Sequence, residues 1–278
     1  GADRILVNAL QSFPESSQKV VYLPKEGPLS EFILASVKNT KIVIEPKVPI
    51  IFRALFTPKG MATFLKNYIG FKRFLKKEHK TYKFDLAYVN TLSCAFLLPI
   101  LSRLKIKNFV HVHEILEQPK IVAWITAKLA NTYSDYVVCV SKAVLNNLTR
   151  IIPNLSRKSH CLHNGILPIV GRKMEKNDVL TFYLFGRIMP KKGQWYLLEA
   201  LSKIPAPTLK KAHFVMVGGP PPGKEQLVEE LSDKIKVSNL ESAVTLKGFC
   251  SDISIEMAKA DVCIVPSLMK DPFPTTVL

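Results

Sequence analysis

At 278 residues, 47% hydrophobic and 22% charged, the chain has the composition of a globular protein and the length of two domains. No apolar run reaches about 18 residues, which excludes a helical membrane span, and Asp3, Arg4 and Gln11 break up the opening segment as no secretory signal peptide does. The net charge of +17 is uneven: residues 1–170 hold 24 Lys and Arg against 10 Asp and Glu, a net +14, and residues 171–278 hold 15 against 12, a net +3. Such asymmetry predicts an anionic partner for the first part alone.

The first part alternates helices and strands. Asp3 to Phe13 reads as a helix, Lys19 to Leu23 as a strand, Leu29 to Val37 as a helix and Ile42 to Ile44 as a strand. After a basic helix come a strand at Leu86 to Val89, a helix at Leu92 to Leu104, a strand at Phe109 to His113, a helix at Ile121 to Asn131 and a strand at Val137 to Val140. Ser141 then caps a helix from Lys142 to Ile152, because its hydroxyl accepts the free N–H groups of a first turn. The pattern predicts a doubly wound α/β sheet. Ile166 to Asp178, with Pro168, Gly171 and a run of charges, reads as an interdomain linker.

The basic helix spans Pro58 to Lys83. Met61, Phe64, Leu65, Tyr68, Phe71 and Leu75 recur at three- and four-residue steps and form an apolar stripe. Lys59, Lys66, Lys72, Arg73, Lys76, Lys77, Lys80 and Lys83 oppose the single Glu78. Two readings compete. In one, Lys72, Arg73, Lys76 and Lys77 meet an anionic membrane surface, each cation adding about 1 kcal/mol; in the other, the helix packs on its own sheet and its basic face is simply solvated. Nucleic acid is disfavoured, since no helix-turn-helix, RNP or zinc-finger pattern is present.

The second part holds four strand-to-loop units. Leu180 to Phe185 is a strand that runs into Gly186, Arg187, Lys192 and Gly193, ahead of a helix ending at Leu201. Arg187 and Lys192 would flank a helix N-terminus, where backbone N–H groups already favour an anion. An ordinary βα turn with solvated charges would share that sequence. His213 to Val217 ends in Gly218 and Gly219, and Val244 to Lys247 ends in Gly248 and Phe249. Ala260 to Ser267 reads as the last strand, followed by Asp271, Pro272, Phe273, Pro274, Thr275 and Thr276, with Pro274 preset for a first helical turn. Loops gathered at the strands' C-terminal ends form the edge where such sheets bind nucleotides.

These segments, with Val112-His113-Glu114, Val138 to Val144 and Leu162-His163-Asn164-Gly165-Ile166, occur in one order along the chain, which resembles a retaining glycosyltransferase of the GT-B fold, glycosyl transferase group 1. The resemblance implies two doubly wound Rossmann-like domains facing a cleft, residues 1–168 on the acceptor side and 169–278 binding a nucleotide sugar. It implies truncation at both ends: a strand before the first helix, a glycine-rich loop of which Gly1 is the remnant on the acceptor side, and a glutamate directly after Leu278. It implies a donor site made by Gly186, Arg187, Lys192, Asn164, Phe249, Phe273, Pro274, Thr275 and Thr276. Catalysis falls to His113, which contacts the donor sugar, and to Asp271, which stands where the family has the first of two glutamates. His111, two residues back on the same face, is the competing histidine, and an αL turn is the structural alternative for Asn164-Gly165.

The implied activity is transfer of a sugar from a nucleotide-diphosphate donor to a glycan or lipid-linked acceptor, with retention, in bacterial surface polysaccharide or glycolipid assembly. The implied location is cytoplasmic, peripheral at the inner face of the plasma membrane. No cofactor is expected, since a cationic pair replaces the metal. A nucleotide-sugar epimerase and a non-catalytic nucleotide- or carbohydrate-binding remnant are the alternatives. Cys94, Cys139, Cys161, Cys250 and Cys263, odd in number and mostly within apolar strands, read as free thiols in a reducing compartment.

Overall fold

The computed structural model describes residues 2–51, 53–166, 179–250 and 252–277. Gly1, Leu278 and all but Ile166 of the linker segment lie outside the described residues. The chain divides into two units, Gly1–Gly165 and Ile166–Leu278.

In unit 1 the elements run α1 (Ala2–Ser12), β1 (Lys19–Leu23), α2 (Pro28–Ser36), β2 (Thr40–Ile44), α3 (Pro58–Tyr82), β3 (Leu86–Val89), α4 (Leu98–Arg103), β4 (Lys107–Val112), α5 (Lys120–Tyr133), β5 (Tyr136–Cys139), α6 (Lys142–Ile151) and β6 (Ser159–Cys161). All pairings are parallel, as crossover helices require. The single sheet expected from the sequence is two: β1 with β2, and β3-β4-β5-β6 in that order. Among the described residues no strand lies between them. Leu6, Val7, Leu10, Ile33 and Val37 of α1, α2 and its C-cap form a core against which Val21 of β1 and Tyr88 of β3 both pack.

Helix α3 starts at Thr57, whose hydroxyl accepts from Gly60 N, with Pro58 in the first turn, and it ends at Lys83, whose φ of 49° is left-handed. The predicted stripe splits. Phe64, Phe71 and Leu75 are buried, with Tyr22 of β1 edge-on to Phe71 and Phe74, whereas Met61 and Leu65 are 44% and 52% exposed. At about 100° per residue Phe64, Tyr68, Phe71 and Leu75 share one face, and Met61 and Leu65 point elsewhere with the exposed Ile69. The helix predicted over Leu92 to Leu104 is also divided, into a 3-10 segment at Leu92–Leu97 and the short α4. Pro99 is the reason, because its ring nitrogen has no hydrogen to give to the carbonyl four residues back.

In unit 2 the order is β7 (Leu180–Phe185), α7 (Gln194–Leu201), α8 (Ala206–Leu209), β8 (Ala212–Val217), α9 (Gln226–Val237), β9 (Val244–Lys247), α10 (Ser254–Met257) and β10 (Val262–Cys263). These strands form one parallel sheet in the order β10-β7-β8-β9. Leu198, Leu201, Met216, Leu231 and Leu240 fill the core on one of its faces. The predicted last strand shrinks to two residues. Asp261 N and Ile264 N still donate to Thr181 and Tyr183, but Pro266 has no N–H to continue the ladder.

The strand order reverses between β7 and β10, and there, as between the ends of β7 and β8, the backbone is packed too closely for side chains. Gly193 has φ 86°, and a Cβ on it would sit 2.1 Å from the Pro266 carbonyl oxygen. A Cβ on Gly218 would meet the Gly186 carbonyl oxygen at 2.0 Å. Gly193→Ala should therefore lower the unfolding free energy, read from urea denaturation, by more than the about 1–2 kcal/mol of left-handed strain alone. Gly223→Ala, at φ 73° with nothing within 4 Å of the added carbon, should show only that strain. Equal losses in the two variants would mean that the contact with Pro266 relaxes freely.

Candidate functional site

In unit 1 the histidines lie at the C-terminal edge of the second sheet. β4 delivers His111 inside the strand and His113 just past it, their ring centroids 4.2 Å apart. Tyr88 Oη lies 2.6 Å from His111 Nδ1 and donates to Asn90 Oδ1 at 3.1 Å, and that same oxygen lies 2.9 Å from His113 Nε2. Burial pulls the His111 pKa down to about 4; burial and the neighbouring His111 pull that of His113 down to about 3. Both rings are neutral near pH 7.

Glu114 closes the turn. Its carboxylate accepts from the Thr91 hydroxyl and from His113 N, the latter at 3.0 Å. Burial raises the Glu114 pKa, and those hydrogen bonds oppose the rise. Thr91 is held at φ 151°, where β-branched residues seldom sit, and its oxygen also accepts from Ser93 N at 3.0 Å. Downstream, the buried Asn147 of α6 clamps the loop, accepting from Leu116 N at 2.8 Å and donating to Leu116 O at 3.2 Å. The turn that carries His113 is thus held through Glu114 by Thr91 of the segment after β3, and further along the loop by Asn147 of α6.

Asn164 ends this unit with its Oδ1 buried and, among the described residues, without a hydrogen-bond partner. Gly165 is absent from the left-handed glycines, so the αL alternative for this pair does not hold, and its carbonyl accepts from Asn8 Nδ2 at 3.1 Å. Lys72, Arg73, Lys76 and Lys77 all lie on the exposed side of α3. Gly1 lies outside the described residues.

In unit 2 the site residues gather at the reversal of strand order. Lys192 Nζ lies 2.6 Å from Asp271 Oδ2, a half-buried ion pair that joins the loop after β7 to the loop after β10. Leu268 N donates to Lys191 O at 3.0 Å and ties the same loops by backbone. Gly186 N donates to Val217 O and Ile188 N to Gly219 O, which carries the pairing of β7 and β8 beyond the strands. Arg187 is exposed, and its carbonyl accepts from Gln194 Nε2 at 2.8 Å. Gln194 is wholly buried, with an unpartnered Oε1, at the first turn of α7, whose N-cap Gly193 has no side chain to cap it.

Phe249 is 83% exposed after Gly248. Phe273, Pro274, Thr275 and Thr276 are half-buried, and the helical turn predicted there is a 3-10 turn, Thr275–Val277, closed by Val277 N donating to Pro274 O. The structure thus brings Gly186, Lys192 and Asp271 together in unit 2 and sets His113 beside His111 in unit 1. Sequence reasoning missed Asn90, Asn147 and Gln194. Their signal lies in partners 23, 31 and 7 residues away, which no local pattern encodes.

Residues 180–278 match the family model described as glycosyl transferases group 1. The match covers most of the second unit. HepE of Anabaena, solved with UDP and glucose, superposes with a TM-score of 0.77 at 21% identity, covering 100% of this chain and 73% of that one. A glycosyltransferase from Rickettsia africae gives 0.72 at 16% identity, covering 99% and 71%. The lipopolysaccharide outer core galactosyltransferase WaaB, in its apo form, gives 0.66 at 14% identity, covering 100% and 73%. No curated protein matches by sequence. The chain carries the GT-B fold, and in the unit that the family model matches the reversal of strand order coincides with the Lys192–Asp271 pair.

The neutral histidines predict a pH dependence with a definite sign. Their native pKa values lie below the about 6.5 of an unfolded histidine, so the unfolded chain takes up protons first as pH falls. The stability they contribute is complete above about pH 6.5 and is lost as pH drops toward about 4 and about 3. The unfolding free energy from urea denaturation should fall as pH drops from 6.5 to 5, by less than about 1.4 kcal/mol per pH unit for each histidine, and His113→Gln should flatten the slope. A midpoint indifferent to pH across that window would mean that both rings charge freely in the native state.

Proposed function

We propose that the chain is a metal-independent, retaining glycosyltransferase that moves a sugar from a nucleotide-diphosphate donor to a glycan or lipid-linked acceptor in surface polysaccharide or glycolipid assembly. The observation that carries the donor site is the meeting of Lys192, Asp271 and the crowded Gly193 at the reversal of strand order, the place where open α/β sheets bind nucleotides. Negative charge grows on the leaving diphosphate as the glycosidic bond breaks. Lys192 and Arg187 stabilise it there, helped by the uncapped N-terminus of α7.

The ion pair has a role in this exchange. With no donor bound, Asp271 neutralises Lys192; a diphosphate takes over the lysine and frees the carboxylate to accept a hydrogen bond from a sugar hydroxyl. His113, neutral and clamped, contacts the donor sugar without serving as a cation. The leaving phosphate then assists the incoming hydroxyl on the face it departs from, which gives retention. Asn164, Phe273, Pro274, Thr275 and Thr276 complete the donor contacts, and Phe249, almost fully exposed, is the surface offered to the base.

The acceptor side works at an anionic membrane surface, at the cytoplasmic face. Met61, Leu65, Ile69, Lys72 and Lys76 fall within an arc of about 80° on α3, all of them exposed. Arg73 and Lys77 lie beyond one edge of that arc, by about 40° and about 80°. Apolar side chains that insert, followed along the same face by cations that meet headgroups, are the pattern of an interfacial helix. No helix among the described residues is long and apolar enough to cross a membrane.

Calorimetric titration with UDP and UDP-glucose tests the donor site. Lys192→Ala and Arg187→Ala should each weaken binding ten- to a few-hundredfold, on the order of 1.5–3 kcal/mol of charge-assisted hydrogen bonding. Wild-type affinity in both variants would remove the diphosphate assignment. For the membrane surface, the chain should cosediment with vesicles containing phosphatidylserine and detach as salt rises. Changing Lys72, Arg73, Lys76 and Lys77 to Glu should abolish that binding with the circular dichroism unchanged; sedimentation equal to the parent's would leave a solvated basic face.

A further inference from the structure

We propose that Asn90 is a positioning residue for His113, its Oδ1 accepting the Nε2 hydrogen so that the neutral ring is held in one tautomer with Nδ1 as the open acceptor. The relevance to catalysis rests on the reading of His113 as the residue that contacts the donor sugar; the positioning itself rests on geometry alone. Asn90 follows β3 and His113 follows β4, and these strands pair in parallel with Val89 opposite Val110, so the ends of two neighbouring strands set the contact. The Oδ1 to Nε2 distance is 2.9 Å. Among the described residues none bonds His113 Nδ1.

The hydrogen-bond count around the cluster selects the direction. Asn90 Oδ1 has two lone pairs and two neighbours, His113 Nε2 and Tyr88 Oη, the latter at 3.1 Å. If the oxygen faces them, Tyr88 gives its one proton to Asn90 and accepts from His111 Nδ1–H at 2.6 Å. His111 Nε2, buried and unpartnered, is then a bare lone pair. If the amide were turned, Tyr88 would give its proton to His111 Nδ1, and His111 Nε2 would carry a hydrogen with nothing to receive it. A buried donor without an acceptor is the rarer and costlier defect. The oxygen-inward arrangement leaves only the milder one.

The choice of a carboxamide has a consequence of its own. A carboxylate at the same place would fix the same tautomer but would draw a proton onto the ring. A neutral acceptor orients His113 and leaves it uncharged, in keeping with the burial of both rings and the 4.2 Å between their centroids.

The test reads the ring directly in the full chain. With 15N-histidine labelling and His113 assigned through the signal lost in His113→Gln, long-range 1H–15N correlations at pH 7 should show Nε2 protonated and Nδ1 bare. Asn90→Ala should turn His113 into a mixture of both tautomers. Asn90→Asp should keep the Nε2–H form while raising the ring's pKa by more than one unit, with His111 and Tyr88 as the other titratable groups beside it and Glu114 turned toward Thr91 and the backbone. A protonated Nδ1 in the parent, or a tautomer unchanged by both substitutions, overturns the proposal. The readout is a protonation state and needs no turnover. Loss of UDP binding or transfer would therefore count against the donor reading without touching the Asn90 assignment.

Discussion

Unit 2 depends on backbone approaching backbone without side chains between. At the end of β8 the Gly218 Cα sits against the Gly186 carbonyl, and at the start of α7 Gly193 sits against Pro266, each too near for a Cβ. Remove that tolerance and the loops after β7, β8 and β10 must separate. The separation would carry Lys192 away from Asp271, since the pair joins two of those loops across 79 residues of sequence. Charge placement at this edge is thus downstream of glycine placement. A lysine on a four-carbon stem has too much freedom to define a phosphate site by itself; it becomes specific when the backbone around it is fixed.

In unit 1 the controlling term is desolvation. His111 and His113 lie side by side at the C-terminal edge of a sheet, where two imidazolium rings would repel and each would lose hydration, His111 being buried and His113 half-buried. The surrounding groups are neutral donors and acceptors: a phenol, a carboxamide, a threonine hydroxyl. The one nearby carboxylate, Glu114, is turned toward Thr91 and the backbone. Had that carboxylate faced a ring nitrogen, the histidine would have become a cation, with a chemistry suited to proton donation rather than to neutral contact with a sugar.

Much of this was legible in the sequence where physics is local. The strands Lys19–Leu23, Leu86–Val89 and Leu180–Phe185 were read to the residue, because each is a mainly apolar run bounded by breakers or charges. The Ser141 cap was legible for the same reason: its hydroxyl accepts from Val144 N, three residues on. β6 was not, since Ser159-His160-Cys161 has no apolar run and exists through pairing with β5. The α3 stripe was overdrawn, because three- and four-residue steps mark a broad sector, and only the neighbouring Tyr22 and Phe96 decide which part of it is covered. Asn90 was illegible altogether, an asparagine after a strand that gains meaning from a histidine 23 residues away.

Charge divides the labour between the two units. In unit 2 Lys192 is matched to Asp271, and both Lys247 and Lys259 to Glu256. Residues 1–170 cannot be matched that way, since even complete pairing of their acids leaves a net +14. Several of those acids are already bound to neutral donors, Glu78 to the Tyr22 hydroxyl, Asp135 to Asn108 N and Glu114 to Thr91. The excess acts at a distance, yet at physiological salt its reach is about one Debye length, near 8 Å. On the proposed reading, such a field would draw an anionic surface in and orient its approach without giving lasting attachment. Short-range apolar contact has to supply the rest, and on α3 it is available where Met61, Leu65 and Ile69 remain uncovered by their own fold.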